Sequence, residues 1–137
     1  MQKIRKLSNL INYPPSHLQD FELFCKAVKV TFMRAVKDHQ IRWNSTFNML
    51  HRAVYLKLAF NMFNRSKEEY INLILTNREW ELAEFLLHFL SPFKITTDLL
   101  QATQKPTLHK TFEIYERLFN SIDNVRALFQ NMNIKSN

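Results

Sequence analysis

Apolar residues recur along this chain at intervals of three and four, the period of helices that bury one face. Ile4, Leu7 and Leu10/Ile11 predict a helix over residues 2–12, ended by Tyr13-Pro14-Pro15. Ser16 is a candidate N-cap for a second helix reaching about Val28, with Leu18, Phe21, Phe24 or Cys25, and Val28 inward. From Asn44 a long helix is predicted to about Asn64, its stripe formed by Phe47, Leu50, Val54, Leu58 and Met62. Residues 66–75 suit a short helix capped by Ser66. Thr76-Asn77-Arg78-Glu79 then has the form of a capping box, the clearest helix start in the chain. The helix it opens carries Trp80, Ala83, Leu87 and Leu90, and Phe85, Phe89 and Phe93 widen that face toward burial on more than one side. Pro92 should kink or interrupt it. After a loop over 101–105, Pro106 suits a first helical turn, and Leu108, Phe112, Tyr115, Phe119 and Ile122 line a last helix that Val125 and Phe129 extend. Val30, Phe32 and Val36 allow one short strand near 30–36. The expected fold is mainly α, with five or six helices.

Composition narrows the chemistry. The 137 residues include no Gly, so tight hairpins are not expected, and Walker-type and dinucleotide-binding fingerprints are excluded. Cys25, the single cysteine, has no disulfide partner within the chain and suits a small buried position. His17, His39, His51, His88 and His109 are scattered and form no ligand pair with Cys25. No run of about 18 apolar residues is present, so no membrane partner is expected.

Charge is uneven. Residues 1–58 hold ten lysines and arginines against three acids, so the whole net charge of +7 lies in that half. Such an excess suits a polyanion, or serves as a solvated face. The same half contains Ile41-Arg42-Trp43-Asn44-Ser45-Thr46-Phe47-Asn48-Met49-Leu50. Asn44, Ser45 and Thr46 are residue types that accept from the free N–H groups of a helix start. Arg42 and Trp43 would then stand at a helix entrance, where a guanidinium meets phosphate and an indole stacks on a base. The alternative is a hydrophobic staple, Trp43 packing back on its helix with Arg42 solvated.

The string IRWNSTFNML resembles the TRWNST-x-x-ML motif of the hAT superfamily of DNA transposases, in particular its RICESLEEPER-like and BED-finger-bearing members. The likeness continues in order along the chain. Lys3-Ile4-Arg5-Lys6-Leu7, Pro15-Ser16 and Phe21 lie upstream; Glu79-Trp80-Glu81-Leu82, Phe89-Leu90-Ser91-Pro92-Phe93, Thr97 and Pro106-Thr107-Leu108 lie downstream. It spans roughly residues 3–120, and RWNST is its most specific part.

The resemblance implies a partial domain over 1–137: the front of the helical insertion that interrupts an RNase H-like transposase fold. It implies Trp43 near distorted or flipped DNA, Arg42 on the backbone, and Arg34, Lys37 and Arg52 as flanking phosphate contacts. The family's three carboxylates, which hold two divalent metal ions, fall before and after the matching region. Asp20, Asp38, Asp98, Asp123 and the glutamates suit solvated helix faces instead. The chain is therefore expected to be non-catalytic by itself, with no cofactor of its own and DNA as its partner. Self-association, or contact with the remaining transposase segments, is the alternative offered by its aromatic-rich helices. Nuclear localisation follows from the resemblance.

Overall fold

Six α-helices and one 3₁₀ turn form the regular structure among the described residues, 1–37, 43–102 and 108–134 of this computed structural model. They are α1 (Gln2–Asn12), α2 (Pro15–Ala27), α3 (Trp43–Tyr55), α4 (Lys57–Arg65), the 3₁₀ turn Glu68–Leu73, α5 (Asn77–Ala102) and α6 (Leu108–Ile134). The mainly α expectation holds. Contacts divide the chain into two units, Met1–Phe85 and Leu86–Asn137.

In the first unit α2 packs on α4, and α1 on both α2 and α3. α1 buries Ile4, Leu7 and Ile11 as its spacing predicts. α2 starts earlier than Ser16 suggests, with Pro14 as N-cap and Pro15 in the first turn, where a missing N–H costs nothing. It buries His17, Phe21 and Cys25, while Leu18, Phe24 and Val28 are half-buried. Burial, and then the nearby Glu22 carboxylate, raise the Cys25 thiol above its ordinary value. The helix ends in a Schellman motif: Val30 N–H donates to the Cys25 carbonyl at 2.9 Å and Lys29 N–H to that of Lys26 at 3.1 Å. This motif needs one left-handed residue. With no glycine in the chain, Lys29 takes that place at φ 57°.

Residues 31–37 are not a strand. Their carbonyls are bonded by side chains instead: Asn12 Nδ2 donates to Ala35 at 2.7 Å, and an Arg52 Nη donates to Arg34 at 2.9 Å. Side chains of α1 and α3 thus satisfy two adjacent carbonyls that a strand would pair with a neighbour. Ala35 is buried under this pair of clamps.

The long helix expected over 44–64 is broken at Leu56 into α3 and α4. Its inward face is also rotated from the expected stripe. Met49, Leu50, Ala53, Leu56, Ala59, Phe60 and Phe63 are buried, whereas Leu58 and Met62 face water. Ala53 and Ala59 carry little apolar signal in the sequence, yet small residues let neighbouring helices approach closely.

The core of this unit is aromatic. Phe21 meets Phe60 edge-on at 5.5 Å, Phe60 meets Trp80 at 6.4 Å, and Phe63 stacks on Tyr70 at 5.3 Å. The Trp80 indole donates to Asn61 Oδ1 at 3.2 Å. His17 is buried with both ring nitrogens engaged: Nδ1 lies 2.8 Å from the Leu10 carbonyl, Nε2 3.1 Å from Tyr70 Oη and 3.2 Å from Lys67 Nζ. A carbonyl only accepts, so Nδ1 carries the proton, and Nε2 has one lone pair to offer to the Lys67 ammonium or the Tyr70 hydroxyl. The helix expected over 66–75 is the 3₁₀ turn, which buries Tyr70. The capping box is as predicted: Thr76 N–H donates to Glu79 Oε2 at 2.8 Å, and Glu79 N–H to Thr76 Oγ1 at 3.2 Å.

The second unit holds the rest of α5 together with α6. Pro92 does not interrupt α5. The ring denies the His88 carbonyl its helical donor, and hydroxyls nearby bond back along the helix, Ser91 to Leu87 and Thr96 to Pro92, both at 2.8 Å. Ile95 and Leu99 of α5 and Ile114 and Leu118 of α6 line a cavity of about 70 Å³. Of the apolar positions that line this last helix, Phe112, Tyr115 and Phe119 are exposed. Phe89 is exposed too, so α5 is not buried on several sides.

Candidate nucleic-acid interface

The candidate residues all belong to the first unit. Trp43 is the first residue of α3 and is 40% exposed, so its indole keeps a free surface at the helix entrance. Asn44, Ser45 and Thr46 stand inside the first turn of α3 rather than ahead of it. Asn44 Oδ1 is buried without a hydrogen-bond partner among the described residues. Arg42 lies outside the described residues.

Arg34 and Lys37 are exposed on the segment that Asn12 and Arg52 clamp. That segment has no regular structure, so side chains of α1 and α3 fix its backbone and thereby both cations. Arg52 is half-buried, with one donor on the Arg34 carbonyl. A guanidinium has five N–H donors in a fixed fork, so this hydrogen bond orients the group and leaves other donors for a phosphate. Sequence reasoning placed Arg52 as a flanking cation and missed its hold on residue 34. Nothing in helical periodicity signals a side chain reaching to a carbonyl 18 residues away.

Lys37 also lies on an open groove of about 570 Å³, whose other described lining residues are Lys6, Asn9, Leu10, Tyr13 and Leu73. Lys6, Asn9 and Tyr13 were not among the candidates, because a lysine and an asparagine on a polar helix face look like solvated residues.

Among the described residues, no three His, Cys, Asp or Glu side chains converge to hold a metal ion. The acids instead serve as ion-pair and capping partners: Glu79 with Lys3 at 2.9 Å, Glu84 with Lys57 at 3.0 Å, and Asp98 with Lys94. These side chains do not fit a two-metal centre. No helix among the described residues is long and apolar enough to cross a membrane.

Residues 1–89 match the family described as the ZBED1 RNase-like helical domain. The chain belongs to this family. The match ends close to the boundary of the first unit at Phe85, so it covers the clamped segment, Trp43 and the aromatic core. A ZBED1-type RNase-like helical domain of this kind is a hAT-like, transposase-derived region. The chain is also 35% identical over 123 residues to a Talaromyces stipitatus protein named "Putative transcriptional regulator tpeD". That alignment takes in 90% of this chain and 14% of the relative's length, so the chain spans about one-seventh of that protein. No solved structure matches the chain significantly.

Proposed function

We propose that this chain is the DNA-contacting helical part of a hAT-type transposase-derived protein of the RICESLEEPER-like, BED-finger-bearing kind, acting in the nucleus. It is not catalytic by itself and needs no cofactor of its own. The observation that carries the reading is the exposed Trp43 indole at the start of α3, in the half of the chain that holds the entire +7 charge. Trp43 stacks on an unpaired or distorted base at a DNA end, an interaction worth about 1–3 kcal/mol for any base. Arg34, Lys37 and Arg52 meet phosphates beside it, and Arg42 joins them by resemblance.

Fluorescence anisotropy of the purified chain against duplex and hairpin-ended DNA, across salt and beside Trp43→Ala, tests this. Affinity should fall steeply with salt. The preference for the hairpin end should disappear with Trp43→Ala while circular dichroism stays unchanged. Weak binding that ignores salt, from a folded chain, overturns the reading.

A second reading has its own observation. Phe112, Tyr115 and Phe119, at 70%, 49% and 63% exposure, form a stripe along α6 with spacing suited to a partner helix. A transposase-derived protein-interaction module would show concentration-dependent association in sedimentation and no affinity for DNA.

A further inference from the structure

The groove beside Lys37 combines features that a simple phosphate contact does not need. Its floor is apolar, made by Leu10 of α1 and Leu73 at the end of the 3₁₀ turn. On it stands Tyr13, 75% exposed, at the junction between α1 and α2. Pro14 and Pro15 follow directly, and their fixed φ angles restrict the backbone that carries the ring. Lys6 and Lys37 bring two ammonium groups from separate elements, and neither has a carboxylate partner among the described residues. Asn9 adds an amide with both donors and an acceptor. Lys37 is placed there by the Asn12 clamp on Ala35, two residues away.

Two cations, an amide and an aromatic ring over an apolar floor suit a ligand with an anionic part and a flat apolar part. A volume of about 570 Å³ lies in the range of small-ligand sites and accommodates a nucleotide. We propose that this groove takes one unpaired nucleotide of a DNA single strand, with its phosphate between Lys6 and Lys37 and its base on Tyr13. The proposal rests on the DNA reading above and adds a second stacking position distinct from Trp43. Duplex DNA keeps its bases stacked inside and offers Tyr13 no face, so the groove discriminates single-stranded from double-stranded DNA.

The test uses the full chain in fluorescence anisotropy with a labelled oligothymidine of about ten nucleotides and a blunt duplex of equal length. Tyr13→Ala should weaken the single strand by roughly 5- to 150-fold and leave the duplex within about twofold. Tyr13→Phe, which keeps the ring, should bind as wild type does. Replacing Lys6 and Lys37 together by alanine should lower the salt slope for the single strand by about 0.7, the value for the one phosphate they share. Tyr13 is largely exposed, so its truncation should leave the circular dichroism unchanged. Tyr13→Ala binding the single strand as tightly as wild type overturns the proposal, even if the lysine variant is weakened. If Trp43→Ala alone loses that binding, the groove is wrong and the DNA reading stands. If wild type binds neither oligonucleotide, both fall.

Discussion

Phe60 and Phe112 both sit on helices with apolar residues at helical spacing, yet Phe60 is fully buried and Phe112 is 70% exposed. The difference lies in how many faces converge. In the Met1–Phe85 unit, α1, α2, α4, the 3₁₀ turn and the start of α5 surround one aromatic cluster. Among the described residues of the Leu86–Asn137 unit the helices are the rest of α5 and α6, and each can cover one face of the other. α6 has two apolar faces: Ile114 and Leu118 line the cavity shared with α5, whereas Phe112, Tyr115 and Phe119 look outward. Leaving such side chains in water forgoes roughly 1.5–3 kcal/mol apiece. Periodicity therefore specifies a helix and an apolar face, and says nothing of what covers that face.

The widest gap between the units should appear on truncating one phenylalanine in each. Phe60→Ala removes contacts with both Phe21 and Trp80 and should cost about 3–5 kcal/mol. Phe112→Ala should stay within about 0.5 kcal/mol. Both tryptophans, Trp43 and Trp80, belong to the first unit, so fluorescence during urea unfolding follows that unit. Circular dichroism follows the whole chain. A cost above about 1 kcal/mol for Phe112→Ala would mean that the α6 stripe is covered in solution, and the comparison would then describe an interface rather than an exposed face.

The same contrast separates what the sequence made legible from what it did not. Local signals held: the Thr76–Glu79 capping box, the stop at Tyr13-Pro14-Pro15, the face of α1, and the buried Cys25 are all where residue types and spacing put them. Signals that depend on neighbours failed. The inward face of α3 and α4 is set by packing against α1 and α2 and runs through Ala53 and Ala59, which apolar patterning underweights. The stretch near 30–36 alternates like a strand, but Asn12 and Arg52 bond its carbonyls from helices distant in sequence. At the candidate interface, Trp43 at a helix entrance was legible. The Lys6–Tyr13–Lys37 groove was not, because it forms only when α1, the clamped segment and the end of the 3₁₀ turn meet.

A smaller effect tests whether the well-packed unit also tolerates strain. Lys29 is the left-handed residue of the Schellman motif, a conformation that costs a side-chain-bearing residue roughly 1–2 kcal/mol. Lys29→Gly removes that cost and adds unfolded-chain freedom worth roughly 0.5–1 kcal/mol in the opposite direction. The net expectation is a gain of about 0.5–1 kcal/mol in the urea midpoint analysis. No gain would mean that the lysine side chain contributes a contact that offsets its backbone strain.

The smallest expected effect concerns an ion pair between helices. Lys26–Glu22 of the first unit, at 3.0 Å, only joins neighbouring turns of α2. In the same unit, Lys3 of α1 reaches Glu79 of α5 and also the Ile74 carbonyl, joining elements far apart in sequence. In the second, Lys94–Asp98 and His109–Glu113 join neighbouring turns of one helix. The Lys3 ammonium, followed by the Thr76 backbone N–H, holds the Glu79 carboxyl below its ordinary value of 4.5, against a weaker opposing push from burial. A folded value below the unfolded one means that the charged form is favoured by folding. The stabilisation is complete above the unfolded value and is lost as pH falls through the folded one. Glu79→Gln keeps the shape and removes the charge, so the margin of wild type over this variant should shrink as pH falls below the ordinary value of 4.5. Both partners are more than a third exposed, which keeps the margin small and sensitive to salt. A margin constant across that range would place the contribution of Glu79 in its hydrogen-bonding shape alone. The link between α1 and α5 would then rest on packing, as the rest of that unit does.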